Sequence, residues 1–241
     1  MIALFSLCIA LTAAPAPPAF SDDTAATLQA AVDDVLLDTA MGTKAAFTMA
    51  VVDHGRVWRH SRGVINARTK QKATTSTSFR LASITKTFTA LAIMQLVQDG
   101  ELDLDTPVTT IVPSLPASLS AVTVRHLLNH TSGIRHYPLK GEERAWRKHL
   151  TTAQTLAVFA DRPLAFAPGQ RFLYTTYGYD VLGAVLEAKT GTAYADVVDE
   201  RIFSPLGMAN TFIEDSRKRR RDWPVGLKLN KKNNIITNNI I

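Results

Sequence analysis

Ser83-Ile84-Thr85-Lys86 opens a long apolar run, Thr87 to Gln98, and its reading decides the rest of the chain. On a helix, a serine and a lysine three residues apart share one face. The lysine amine then reaches the serine hydroxyl. Such a hydroxyl is a poor nucleophile until a neighbouring base takes its proton. A lysine serves as that base when burial or a nearby cation lowers its pKa. The plain alternative is a helix N-terminus capped by Ser83, with Lys86 in solvent.

The run itself favours the first reading. Phe88, Ala90, Leu91, Ala92, Ile93, Met94, Leu96 and Val97 make it apolar almost all round, which predicts a central helix. Gly100 falls where a left-handed C-terminal cap belongs. Ser83 and Lys86 are then expected at the edge of the core, where a lysine is desolvated.

Upstream, Asp22 to Asp38 has the spacing of an amphipathic helix, with Leu28, Ala31, Val32, Val35 and Leu36 on one face. Phe47 to Val52 and Val57 to His60 are predicted strands around the turn Asp53-His54-Gly55. Gly63 and the polar run Thr74 to Ser78 lead from there to Ser83. Downstream, Pro107, Pro113 and Pro116 predict an irregular connection. Thr123 is placed to cap a short helix through Asn129, broken by His130-Thr131-Ser132-Gly133. A loop from Pro163 turns at Pro168-Gly169. Gly178 to Lys189 and Tyr194 to Phe203 then read as helices, ended by Gly191 and Pro205.

Bulk composition sets the outer limits. A chain of 241 residues, 46% hydrophobic and 20% charged, suits one domain with extensions and can bury a core. The single cysteine, Cys8, excludes a disulfide framework or a multi-thiolate zinc site within one chain. The net charge of +6 is local: from Arg217 onward eight Lys/Arg face one acid, leaving −1 for the rest. That pattern is a basic tail and not a nucleic-acid footprint. Arg217 to Arg221 is a block of like charge, and Asn233 to Ile241 is a biased polar–apolar run; both are expected to lack packed structure. Ile2 to Ala13, followed by Ala14-Pro15-Ala16, has the form of a secretory leader and is too short for a stable membrane span. The expected location is secreted or periplasmic. The alternative is the mitochondrion, although its presequences are rich in arginine and this leader has none.

Four landmarks fall in order: Phe79-Arg80-Leu81-Ala82-Ser83-Ile84-Thr85-Lys86-Thr87-Phe88; Leu102-Asp103-Leu104-Asp105-Thr106-Pro107-Val108; Thr123 through Ile134; and Pro168-Gly169 with Tyr174-Thr175-Thr176-Tyr177-Gly178-Tyr179, trailed by Leu182-Gly183 and Thr190-Gly191. This series resembles the serine β-lactamase and penicillin-binding superfamily, in its class C-like branch of esterases, D-aminopeptidases and β-lactamase-related proteins. The run Ser132 to Tyr137 and the Tyr-x-Thr form are most similar to its mitochondrial members. The resemblance covers roughly Phe47 to Ile213. It implies an α+β, β-lactamase/transpeptidase-like fold, an antiparallel sheet with a helical subdomain, incomplete at the C-terminus. Residues 1–20 are then a leader, 22–216 the N-terminal portion of the β-lactamase-related domain, and 217–241 the tail.

The resemblance also implies roles. Ser83 matches the acylated nucleophile, Lys86 the residue that helps deprotonate it, and Tyr174 the tyrosine that shares proton transfer with the lysine. Which of the two is the base stays open. A cation beside a phenol lowers its pKa, so a tyrosinate next to Lys86 is chemically reasonable. Thr176 lies in the substrate-binding motif where many relatives carry asparagine; it offers a hydroxyl in place of an amide, which weakens the case for efficient β-lactam turnover. His126 and His130 are expected to be structural. No metal or organic cofactor is implied.

One element of the family pattern is absent. The third motif, Lys/His-Thr-Gly on a late strand, has no counterpart; Lys189-Thr190-Gly191 closes a helix instead. That strand supplies an oxyanion donor, and loss of one such donor costs on the order of 10²–10³ in rate. The chain is therefore expected to be truncated or to diverge after about Ser216. Two readings follow. One is a serine acyl hydrolase, of peptidase, esterase or β-lactamase type, acting on a small molecule or peptide through an acyl-enzyme. The other is a catalytically impaired homologue that binds a ligand or partner. The oligomeric state is not legible.

Overall fold

His54 and Gly55 both take positive φ, 46° and 78°, and so form the tight two-residue turn that the Asp53-His54-Gly55 signal predicts. The hairpin they close is β1 (Phe47–Asp53) and β2 (Arg56–Arg62), antiparallel, with Val52 opposite Val57 and Phe47 opposite Arg62. In this computed structural model the described residues are 18–37, 46–66, 68–136, 151–214, 227–229 and 235–237. They divide into two units, one of residues 1–77 with 222–240 and one of residues 78–221.

The first unit holds α1 (Asp22–Leu37) and that hairpin. Leu28 and Val32 are half-buried as the periodicity requires, while Ala31 is exposed. Gln29 Nε2 meets His60 Nε2 at 2.9 Å, and Asp33 pairs with Arg62, so α1 is pinned to β2 by polar contacts. A second short pair, β3 (Val64–Asn66) with β4 (Gln71–Lys72), lies in a stretch expected to be a connection. It buries Ile65 and Ala73. Within the region read as an unstructured tail, β5 (Leu227–Leu229) and β6 (Ile235–Thr237) pair antiparallel. Residues 1–17 of the leader and the Arg217–Arg221 block lie outside the described residues.

The second unit is helical, built around α2 (Thr85–Gln98) and α6 (Tyr177–Thr190). Ala92, Ile93 and Leu96 of α2 and Val181, Leu182, Val185 and Leu186 of α6 are fully buried. Each of these Ile, Leu and Val side chains contributes about 1.5–3 kcal/mol by leaving water. One expectation for α2 needs correction. Leu91 and Met94 are exposed at 43% and 44%, so only one face of α2 is buried. The helix starts at Thr85, two residues before the expected Thr87; a 3₁₀ turn over Ala82–Ile84 leads into it, and no side chain caps it.

Smaller elements lock this pair. α3 (Val108–Ile111) follows Pro107, which bridges to Thr123. Leu102 and Val108 are buried, and Arg125 forms a two-pronged pair with Asp105 at 2.7 and 2.8 Å. The Leu102–Val108 landmark is thus a scaffold that seats α4 (Val124–Leu128). Thr123 caps α4 as predicted, with His126 completing a capping box. α5 (Thr152–Ala157) was not expected, although Thr151-x-x-Gln154 forms a capping box of its own. α6 ends at Gly191 in the left-handed region, φ 69°, so Lys189-Thr190-Gly191 closes a helix as read. α7 (Tyr194–Val198) runs into a π-helical turn over Asp199–Phe203.

Candidate active site

Ser83 sits in the 3₁₀ turn that feeds α2, on the exposed end of a helix whose other half is core. Ala82 immediately before it takes φ +46°, a left-handed conformation that a residue with a Cβ adopts only under constraint. Backbone strain of this kind clusters at functional sites and costs of order 1–3 kcal/mol. Lys86 follows in the first turn of α2, which brings its Nζ to 3.2 Å from Ser83 Oγ.

Tyr174 reaches the same point from a distant loop. The segment 130–135 holds that loop along its length. Gly169 N–H donates to the Thr131 carbonyl, Leu173 N–H to the His130 carbonyl and Ala165 N–H to the Gly133 carbonyl, each at 2.8 Å. Gly133 has φ +77°, and a Cβ there would meet the Phe166 carbonyl oxygen at 2.3 Å, so only glycine allows this approach. Buried Thr175 donates its hydroxyl to the Arg135 carbonyl. Two histidines accept the next backbone donors: Thr175 N–H gives to His130 Nδ1 at 3.3 Å, and Thr176 N–H to His136 Nδ1 at 3.1 Å. An Nδ1 that accepts carries no proton, so both rings hold theirs on Nε2. Burial, then the Lys86 charge, holds both imidazoles below the usual histidine range. The His130 ring lies 4.6 Å from the Tyr174 ring and 5.1 Å from that of Tyr179. His126 and His130 thus have structural contacts, as expected.

The outcome is a three-way convergence. Tyr174 Oη donates to Ser83 Oγ at 2.7 Å. Lys86 Nζ donates to Ser83 Oγ and to Thr176 Oγ1, at 3.2 and 3.3 Å, and lies 5.0 Å from the centre of the Tyr174 ring. Thr176 occupies the N-cap position of α6, where threonine usually caps the helix; here its hydroxyl serves the lysine instead. The Lys86 ammonium, then the Ser83 hydroxyl, hold the Tyr174 phenol below the usual phenol range against the opposing pull of burial.

These groups open onto a cleft of about 680 Å³, lined also by Thr89, His136, Tyr179, Asp180 and Tyr194. Of these, sequence reasoning singled out neither His136 nor Asp180 for a role. His136 had its place in the Ser132–Tyr137 run as its only signal, and Asp180 reads as a first-turn helix acid. Among the described residues no cluster of three metal-ligating side chains occurs, and no helix is long and apolar enough to cross a membrane.

The chain, with Ser-x-x-Lys at the head of α2 and Tyr-x-Thr at the head of α6, has a β-lactamase/transpeptidase fold. Residues 28–233 match the family described as Beta-lactamase, and the chain belongs to that family. The esterase EstB of Burkholderia gladioli is 37% identical over 209 residues, covering 80% of this chain and 53% of the esterase. The mitochondrial serine beta-lactamase-like protein of Homo sapiens is 28% identical, covering 68% of this chain and 43% of that protein. Among solved structures, the octameric penicillin-binding protein homologue from Pyrococcus abyssi superposes with a TM-score of 0.73 at 30% identity, covering 86% of this chain and 50% of its own. The chain spans about half the length of the curated relatives it matches.

Proposed function

We propose that this chain carries a serine acyl hydrolase site, in which Ser83 is the nucleophile and Lys86 and Tyr174 move its proton. The observation that carries the proposal is the pair of donors on Ser83 Oγ, Tyr174 Oη at 2.7 Å and Lys86 Nζ at 3.2 Å. A phenol held below its usual range ionises more readily than a free tyrosine, and it is the phenolate that accepts the Ser83 proton. Ser83 Oγ attacks the substrate carbonyl as its proton passes to the Tyr174–Lys86 pair. The tetrahedral oxyanion meets the Ser83 N–H. As the bond to the leaving group breaks, the proton returns to that group, and an ester links Ser83 to the acyl fragment. Water, deprotonated by the same pair, then releases the acid and restores Ser83. The esterase among the relatives makes an ester the first substrate class to try; amides, peptides and β-lactams share the acyl chemistry. Thr176 lines the cleft and presents a hydroxyl, already engaged by Lys86, on the substrate side.

A fluorescent serine-reactive phosphonate tests the assignment. Labelling of the wild-type chain and its loss in Ser83→Ala are expected. Equal labelling of the two would overturn it.

A further inference from the structure

Among the described residues, the two backbone N–H groups that follow Tyr174 are received by imidazoles and by no carbonyl. Thr175 is fully buried, so its N–H needs an acceptor from the protein. Leaving such a donor without one costs about 1–3 kcal/mol.

His130 brackets the tyrosine. Its carbonyl takes the Leu173 N–H at 2.8 Å, and its Nδ1 takes the Thr175 N–H at 3.3 Å. Its backbone holds φ +57°, a left-handed conformation uncommon outside glycine. His136 takes the next donor, the Thr176 N–H, at 3.1 Å, and its ring meets that of Tyr174 edge-on at 5.8 Å. The Thr176 hydroxyl in turn accepts from Lys86 Nζ at 3.3 Å. Tyr174 and Thr176, and Lys86 through Thr176, are therefore placed in part by two ring nitrogens. A carbonyl accepts at any ordinary pH. An imidazole nitrogen accepts only while it carries no proton. Once protonated, Nδ1 is a donor facing the very N–H it had received.

We propose that His130 and His136 are positioning residues that form a proton-released latch: neutral, they hold the Tyr174–Thr176 segment against Ser83 and Lys86, and protonated, they let it go. The inference rests on the acyl hydrolase reading of this site. Burial, then the Lys86 charge, opposes protonation of both rings and keeps the latch shut at neutral pH. Among the described residues, the charged and titratable groups set against the rings are Lys86 on α2, Tyr174, and Tyr179 on α6. Asp180 and Tyr194 line the cleft beside His136, and Arg135, next to it in the chain, donates to the Pro163 carbonyl. Burial pushes the Asp180 carboxyl up to about 7, so acid removes its charge as well. In acid, none of these groups offers either ring a negative charge.

The test is phosphonate labelling of the full chain from about pH 5 to about pH 8, with asparagine or alanine at the histidines. Asparagine brings an acceptor oxygen to the place of Nδ1 and does not titrate; alanine leaves the N–H unreceived. At the alkaline end His136→Ala should label about tenfold or more below wild type, and His136→Asn should recover most of that loss. On acidification wild type should lose rate more steeply than His136→Asn, and the double variant His130→Asn/His136→Asn should lose least. A second readout is the ¹⁵N shifts of the ring nitrogens, assigned by loss of signal in each asparagine variant. Both rings should be Nε2–H tautomers at the alkaline end and titrate below the ordinary histidine range. An alanine variant that labels like wild type, an asparagine variant no faster than alanine or as acid-sensitive as wild type, or an Nδ1–H tautomer in either ring would overturn the proposal. Should His136→Ala fail to fold, the asparagine profiles and the tautomers decide alone. Ser83→Ala separates the two readings: persistent labelling there sinks the hydrolase assignment, whereas its loss alongside an unaltered acid limb in the asparagine variants sinks the latch alone.

Discussion

Tyr174 and Tyr194 stand at two walls of one cleft and meet opposite conditions. Tyr174 lies at the mouth, 38% exposed, with its hydroxyl on Ser83 and a lysine ammonium beside its ring. Tyr194 lies deeper, its hydroxyl tied to Thr89 and its phenol raised by burial and by the Asp180 charge. Ionisation of the same side chain is eased at one wall and hindered at the other. Residue type does not decide between these outcomes; the sign of the nearest charge and the access of water do. A backbone difference runs alongside. The wall that carries Ser83 and Tyr174 is assembled from strained or glycine-dependent turns at Ala82, His130 and Gly133, whereas α7 begins with ordinary helical geometry.

Substitutions that exploit this contrast should differ widely in effect. Tyr174→Phe removes the relay and should slow phosphonate labelling of Ser83 on the order of 10²–10⁴-fold, the range of a lost general base. Gly133→Ala forces a Cβ to within 2.3 Å of the Phe166 carbonyl at a left-handed φ. It should lower unfolding free energy in urea by roughly 1–3 kcal/mol and slow labelling by loosening the wall that carries Tyr174. Asp180→Asn gives a pH-dependent effect. An acid whose folded pKa is raised holds its proton more tightly when folded, so its contribution is complete below the unfolded value of 3.8 and is lost as pH rises through about 7. The melting temperature of Asp180→Asn relative to wild type should therefore climb between pH 4 and pH 8. A difference that stays flat across that window would mean the carboxyl is not raised. Tyr194→Phe, at the other wall, should cost about 1 kcal/mol and change labelling by less than about tenfold. A loss as large as that of Tyr174→Phe would erase the distinction between the walls.

Much of this was legible in the chain. Gly100 and Gly191 mark helix ends because a left-handed cap needs no Cβ, and both stand at positive φ. Thr123 marks a helix start because its hydroxyl answers the orphan N–H of His126. The landmarks containing Ser83, Lys86 and Tyr174 carried the candidate site. What stayed hidden depends on neighbours far along the chain. No local propensity of Leu81-Ala82-Ser83 announces the 3₁₀ turn under Ser83 or the φ of Ala82. Leu91 and Met94 defeat a burial estimate made from apolar content alone. Two cleft groups were passed over: His136 precedes a stretch with no periodicity, and Asp180 has the appearance of a solvent-facing acid that favours a helix N-terminus. α5, only six residues long, offered a Thr-x-x-Gln box too short to stand out.

The most direct measurement is the ionisation of the Tyr174 phenol itself, followed as the difference in tyrosinate absorbance between wild type and Tyr174→Phe across the pH range. A tyrosine ionising below the ordinary phenol range, and moving upward when Lys86 becomes methionine, is the expected result. A Tyr174 that ionises at or above that range, indifferent to Lys86→Met, would contradict it.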